Sequence, residues 1–317
     1  MTRGAALTGA LLVTLVTPAT WPLALAVFLI RGGIILVALP IVVLPTPVGL
    51  GNVVAPTLTL IAFGSVPVQL ILVSGAALVA VLAWLVAGSW LAAAIEAEGT
   101  RIVALDEEVA ARHAHPVPLT TGRIAARILA ARLIANIPLG LVLAWGSVRL
   151  VSVAYRELTS PLEVSTPIVL RVLHGSPEVV IAIVLAWMVG QIVGAVAARR
   201  VVLAGAGVVG ALRSALATIA RQPLSVLVRF WVPTLGLVAV LLTSAVAAAS
   251  AWAAVGSALV EAADPIRVLA AVLSLVLLWV VGLLLSSVAC AWRAAVWTIA
   301  DVDAPWATRH AEVGPFV

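Results

Sequence analysis

The 317-residue sequence contains no lysine, one tyrosine and one cysteine, and only 10% of its residues are charged. A soluble globular chain carries about 25% charged residues, so this chain has too little polar surface to cover a soluble core. The single thiol, Cys290, excludes an internal disulfide and says nothing about the redox compartment. The apolar content of 64% indicates that lipid is the solvent for much of the chain.

Six apolar runs are each near the length of about 20 residues that a helix needs to cross a bilayer. Backbone polar groups in lipid must be hydrogen-bonded within their own segment, so these runs predict helices. We therefore expect an all-α integral membrane protein, a single transmembrane domain over residues 1–317 with six transmembrane helices. The runs lie at residues 22–44, 68–94, 137–155, 179–198, about 230–255 and 268–291.

The distribution of arginine predicts the orientation of these helices. Arginines cluster between the second and third runs and between the fourth and fifth, whereas residues 34–91 contain none. Because cytoplasmic loops are enriched in arginine, both termini and the polar segment 96–120 are expected in the cytoplasm. Abundant alanine, valine and arginine without lysine indicates a GC-rich bacterial genome and hence a bacterial plasma membrane. The same pattern explains the net charge of +5 without a nucleic acid partner.

An internal repeat predicts three helical hairpins, at approximately residues 5–95, 121–200 and 207–300. In each copy a lead-in stretch is followed by a Pro-Leu pair and an apolar run. In the third lead-in stretch, Arg213 and Arg221 share one face of a helix, opposite Leu212 and Leu216. This pattern is typical of an amphipathic helix in the membrane interface; the alternative is that each lead-in merely extends the following helix. The repeated residues are Pro22, Pro138 and Pro223, then Trp84, Trp187 and Trp279, then Gly88, Gly190 and Gly282.

The order of lead-in, Pro-Leu pair, span, outer proline-containing segment and second span resembles that of uncharacterised bacterial six-helix membrane proteins. It is similar to the membrane domain found with some bacterial glycerophosphodiester phosphodiesterases. The resemblance covers most of the chain and implies the six-helix fold. It implies neither the phosphodiesterase activity, since that catalytic domain is missing from the 317 residues, nor any functional residue.

Arg31 is the sharpest candidate for a functional residue. It lies nine residues after Pro22, which is roughly 13 Å at 1.5 Å per residue and therefore close to mid-bilayer. A charge at that depth suggests function and requires a partner, for which Glu178 is the nearest guess. The adjacent Gly32 and Gly33 would allow a close helix approach or a break. The alternatives are a helix that starts later or an arginine that snorkels to the interface.

Four further polar residues are weaker candidates. Arg149 lies nearer the outer interface, where snorkelling suffices. Arg171, His174 and Glu178 lie in a short outer segment and would either line a pore mouth, bind an anion or belong to an ordinary interfacial helix. No metal site is expected, because His113 and His115, which follow three acidic residues, are spaced two apart and do not share a helix face. No catalytic or cofactor site is expected either, because the sequence has no recognisable catalytic or nucleotide-binding motif.

These features favour a non-catalytic membrane protein, either a transport-related subunit or a scaffold that organises lipid or protein partners. One alternative is a stand-alone transporter or channel with a cavity near Arg31, and another is a permease subunit that works with a separate ATPase. The lack of intramembrane acids in the runs argues against proton or cation coupling. An intramembrane enzyme ranks below all of these, because no nucleophile has a base and an acid placed beside it.

The orientation can be tested by cysteine labelling in a variant whose Cys290 is replaced by alanine. We predict that cysteines introduced in 96–135 or 198–222 resist an impermeant thiol reagent in intact cells, because both loops face the cytoplasm. A cysteine in the segment between the third and fourth spans should react and serves as the positive control. Labelling of either predicted cytoplasmic loop in intact cells would refute the orientation.

Overall fold

The computed structural model describes residues 3–38, 64, 68–105, 120–159, 168–260 and 264–302. Within these residues the chain is helical and has no strand, which confirms the all-α prediction. The first half contains α1 (Arg3–Val16), α2 (Thr20–Phe28), α3 (Ile34–Ala38), α4 (Val68–Ala83), α5 (Ser89–Ala104) and α6 (Thr121–Ala135). The second half contains α7 (Ile137–Thr159), α8 (Ile168–His174), α9 (Pro177–Ala204), α10 (Val208–Arg221), α11 (Pro223–Val260) and α12 (Pro265–Val302).

Within the described residues, six helical stretches are long and apolar enough to cross a membrane, in agreement with the predicted number of spans. Two of the six contain an internal π-type turn, since Leu29–Gly33 joins α2 to α3 and Trp84–Gly88 joins α4 to α5. The spans are Thr20–Ala38, Val68–Ala104, Ile137–Glu157, Pro177–Ala204, Pro223–Val260 and Pro265–Asp301.

The surface of the spans is apolar, as contact with lipid requires. Leu72, Val79 and Leu277 are each about two-thirds exposed, and none of the most apolar window of Val68–Ala104 is buried within the protein. Exposed hydroxyls are satisfied within their own helices; Ser274 Oγ, for example, donates to the Ala270 carbonyl at 2.8 Å. Extended apolar surface of this kind is unfavourable in water and favourable in a bilayer.

Each lead-in stretch forms its own helix, which ends before the helix that carries the Pro-Leu pair. Pro223 is the first residue of α11 and Pro138 the second of α7, where proline lacks only an N–H that would have no intrahelical partner. Asn136 separates α6 from α7 and donates its side-chain amide to the Arg132 carbonyl at 2.8 Å. Both the interfacial location of the lead-in helices and the alternative, that each lead-in extends the following helix into the cytoplasm, stay predictions.

The chain forms two compact units, whose boundaries fall within α5, α11 and α12. The first comprises the described parts of residues 1–16, 97–232 and 293–317. Its core is α9, against which α6 buries a face of isoleucine and alanine that includes Ile124 and Ile128. Arg127 of α6 donates to the carbonyl of Gly205 at 3.0 Å, and Gly205 ends α9 with a φ of +63°. Gly205 thus acts as the left-handed C-cap that ends α9.

The second unit comprises the described parts of residues 17–96 and 233–292. Leu237, Ala289 and Cys290 form a buried cluster, against which Phe28 and Leu241 pack. The buried position of Cys290 agrees with a packing role for this small residue.

The repeated glycines all lie where another helix approaches closely. A Cβ added at Gly88 would lie 3.2 Å from Ile30, at Gly190 2.6 Å from the Asn136 amide, and at Gly282 3.0 Å from Ser244. Each contact joins the second span of a predicted hairpin to the first span or its entrance. The contacted residues stand at different distances from the Pro-Leu pairs, so the triplication stays a prediction. The segment from Pro56 to Pro67 and the histidines at 113 and 115 lie outside the described residues, Gly64 excepted.

Candidate functional site

The first span is broken beside Arg31. Arg31 has φ −81° and ψ 18°, and Gly32 has φ +101° and ψ −4°, values that leave the helical region. A φ of this sign costs glycine little and strains any other residue. The prediction that the glycines would allow a helix break is therefore confirmed at Gly32.

A second irregular turn lies beside this break. The π-type turn of the second span, Trp84–Gly88, contacts Ile30 through Gly88. The indole Nε1–H of Trp84 donates to the Ile30 carbonyl oxygen at 3.3 Å. Both helices of the first hairpin thus lose their α-helical regularity at the same level, and a side chain of one helix satisfies the backbone of the other.

A second tryptophan contacts the continuation of the broken span. Trp279 Nε1 donates to the Val37 carbonyl oxygen at 3.4 Å. The third repeated tryptophan, Trp187, packs against an aromatic ring, since its ring meets that of Phe230 edge-on at 5.6 Å. Trp84 and Trp279 do more, because each supplies a donor to the backbone of the first span.

Arg31 forms an ion pair with Glu96, with 2.6 Å between Nη2 and Oε2. The carboxylate is 7% exposed and the guanidinium 29% exposed. The guess that Glu178 is the partner of Arg31 is wrong. The apolar run ends near residue 94, but α5 continues to Ala104 and carries Glu96 along the same hairpin.

The geometry also explains how Arg31 reaches its partner. Glu96 lies eight residues beyond Gly88, the residue that contacts Ile30, which is roughly 12 Å along the helix axis. The Arg31 side chain therefore extends along α5 toward the end that carries Arg101, as a snorkelling arginine does. Snorkelling and pairing act together here, and each lowers the free energy of a charge in a span.

The other four predicted residues all belong to the first unit, whereas Arg31 belongs to the second. Arg149 Nε lies 3.0 Å from Glu178 Oε1 and joins α7 to α9, and both side chains are nearly half exposed. Arg171 lies 3.7 Å from Glu157, a buried acid that the sequence did not single out. His174 Nδ1 lies 2.8 Å from the Leu170 carbonyl of its own helix. The two ion pairs join neighbouring helices, and the proposed pore-mouth role stays a prediction.

A group of charged residues that sequence reasoning missed lies where α9 and α12 end and α11 begins. Arg200 Nε lies 2.9 Å from Asp301 Oδ1, and both side chains are 6% exposed. The Arg200 Nε–H has no aligned acceptor, so this contact is an ion pair rather than a directed hydrogen bond. Arg199 donates to the Ala294 carbonyl at 3.3 Å and thereby joins α9 to α12 a second time.

The described part of the second unit also contains a small cavity beside the continuation of the broken span. Its volume of about 20 Å³ has room for one water molecule. Its lining includes Val37, Ser244, Trp279, Gly282 and Ser286. Among the described residues, no group of three or more His, Cys, Asp or Glu side chains is arranged to hold a metal ion.

No protein-family model matches this chain, and neither a curated protein nor a solved structure shows significant similarity to it. Function must therefore be inferred from the sites themselves, because the fold alone does not determine function. The break beside Arg31 is the strongest candidate, since it joins an irregular backbone, an ion pair and two indole donors within one unit.

The ion pair can be tested by the variants Arg31→Met, Glu96→Met and the double variant. We predict that each single change lowers stability by about 3 kcal/mol, because it leaves a poorly solvated charge without its counter-ion, and that the double change restores most of the loss. The measurement is the midpoint of thermal unfolding in mild detergent.

The exposed pair of Arg149 and Glu178 provides the matched control. Methionine substitutions there should hardly move the midpoint, because a solvated ion pair contributes little to stability. A double Arg31 and Glu96 variant as unstable as the sum of its single variants would contradict the pairing.

Proposed function

We propose that this chain is a non-catalytic, multi-pass membrane protein that serves as a transport-related subunit, with the broken first span as its moving element. The observation that carries the proposal is the pair of π-type turns, Leu29–Gly33 and Trp84–Gly88, in contact at one level of the first hairpin. Such turns occur frequently at functional sites. Interrupted helices in transport proteins place polar backbone where a substrate or a moving part needs it.

The Arg31–Glu96 pair supports the same proposal. Charged side chains within spans are rare and typically mark a functional element. Arg31 lies within the π-type turn of the first span and Glu96 lies beyond that of the second, so the pair can hold the two turns in register. Separation of the pair would release the first span at Gly32, where the backbone has already left the helical region.

The cavity beside Val37 and Trp279 is the observation that supports the alternative of a stand-alone transporter or channel. That cavity has room for only one water molecule, so a substrate would require the broken span to move away from α11 and α12. The subunit proposal requires no such widening, because a protein partner could respond to the movement of the span. A permease that works with a separate ATPase is one form of this proposal.

The proposal includes a bacterial plasma membrane and cytoplasmic termini. The distribution of charge supports this orientation, because Arg199 and Arg200 near the end of α9, Arg229 near the start of α11 and Arg293 near the end of α12 all fall on the side expected to be cytoplasmic.

Native mass spectrometry of the protein, purified in mild detergent from its own host, tests the subunit proposal. We predict that a protein partner copurifies in fixed stoichiometry with the wild-type chain. The Arg31→Met/Glu96→Met variant should lose this partner, since binding of the partner would depend on the conformation of the broken span. The Arg149→Met/Glu178→Met variant should retain the partner and controls for loss of an ion pair in general. A monomer or homo-oligomer that retains only lipid or a small molecule would contradict the proposal and favour the stand-alone alternative.

A further inference from the structure

Ser244 of α11 and Ser286 of α12 differ from the serines that form hydrogen bonds within their own helices. The hydroxyls of Ser250 and Ser274 show the usual arrangement in a span, since each donates to a carbonyl four residues earlier in the same helix. Within the part of the chain that the structure describes, the hydroxyls of Ser244 and Ser286 have no hydrogen-bond partner. Ser286 is only 1% exposed, and burial of a hydroxyl without a hydrogen bond is unfavourable.

Both serines line the small cavity beside the continuation of the first span, which we call the serine cavity. Its volume is about 20 Å³, and one water molecule needs about 10–15 Å³ on the same scale. Apolar side chains such as Leu241, Leu278 and Leu283 form most of the remaining lining. Because Ser286 is closed off from the surface, the serine cavity is the space in which its hydroxyl can find a partner.

The two hydroxyls lie close to each other across the contact between α11 and α12. A Cβ added at Gly282 would lie 3.0 Å from Ser244 Oγ, and Ser286 stands one turn further along the same face of α12. Residues four apart on a helix have Cβ atoms about 5–6 Å apart. Two hydrogen bonds of about 2.8 Å placed end to end span a similar distance. A single water molecule is therefore long enough a bridge between the two hydroxyls.

The first span supplies a third polar group. The Val37 carbonyl accepts the Trp279 indole N–H at 3.4 Å, and both residues line the serine cavity. A carbonyl oxygen has two lone pairs, so this long hydrogen bond leaves the oxygen able to accept from a second donor. A buried water molecule typically makes about three hydrogen bonds, and the two hydroxyls and the carbonyl match that requirement.

We propose that the serine cavity binds one ordered water molecule, which bridges Ser244 of α11 and Ser286 of α12 to the Val37 carbonyl of the first span. The water donates to the carbonyl and exchanges hydrogen bonds with the two hydroxyls. A cation matches the site less well, because its lining among the described residues contains no carboxylate to balance the charge. The site is independent of the proposed function, since it requires neither a protein partner nor movement of the first span.

Water-edited solid-state NMR of the full chain in lipid bilayers, with isotope-labelled serine, tests the site, because magnetisation passes from water only to protein atoms close to it. Ser287 is the matched internal control, since it follows Ser286 directly, is 3% exposed and donates its hydroxyl to the Leu284 carbonyl at 2.6 Å. We expect magnetisation to reach Ser286 and Ser244 well before Ser287. Equal rates of transfer to Ser286 and Ser287 in the wild-type chain would overturn the proposal without recourse to any variant.

The variant Ser286→Val tests whether the two serines share one water molecule, because it removes one partner and fills the cavity. We expect loss of the fast transfer to Ser244 in this variant, whereas Ser274→Val, a valine on the lipid-facing side of the same helix, should leave that transfer unchanged. Fast transfer to Ser244 that persists in Ser286→Val would contradict a shared water. Thermal stabilisation of the wild-type chain by sodium over a bulky organic cation, if lost in Ser286→Val, would assign the site to a cation and overturn the water assignment.

Discussion

A carbonyl group inside a bilayer needs a hydrogen-bond donor, and this requirement governs the second unit. A regular helix satisfies its own carbonyls, so a span can break only where other groups supply donors. Here the indole of Trp84 reaches the Ile30 carbonyl and that of Trp279 reaches the Val37 carbonyl. Trp84 thus supplies a donor beside the break at Gly32, and Trp279 supplies another to the continuation of the first span.

In both units, a charged side chain of one helix pairs with an opposite charge on another helix. Arg31 with Glu96 in the second unit, and Arg200 with Asp301 in the first, are pairs between helices whose acidic partners are almost fully buried. In each pair the acid lies beyond the end of an apolar run, on a helix that continues past it. Each ion pair therefore joins two spans through an acid near the end of one of them, while the lipid-facing surfaces remain apolar.

The apolar runs predicted the six spans, and the adjacent Gly32 and Gly33 predicted the break, because hydropathy and backbone freedom are local properties. The partners Glu96 and Asp301 could not be found in this way. Hydropathy marks where a helix meets lipid but not where the helix ends. Both acids lie beyond the apolar runs, in stretches of good helix formers through which α5 and α12 continue. The choice of Glu178 for Arg31 failed because pairing depends on which helices lie side by side, a property that spacing along one chain does not encode.

The central claim is that the break in the first span is held by side chains of other helices, and amide hydrogen exchange in nanodiscs measures it most directly. Exchange reports the free energy of local opening. Loss of the indole donor in Trp84→Phe should speed exchange of the amides at residues 30–34 about tenfold, the effect of one lost hydrogen bond. Trp90→Phe, which alters a comparably exposed tryptophan on α5, should leave it unchanged. Equal exchange in the wild-type chain and the Trp84→Phe variant would contradict the claim.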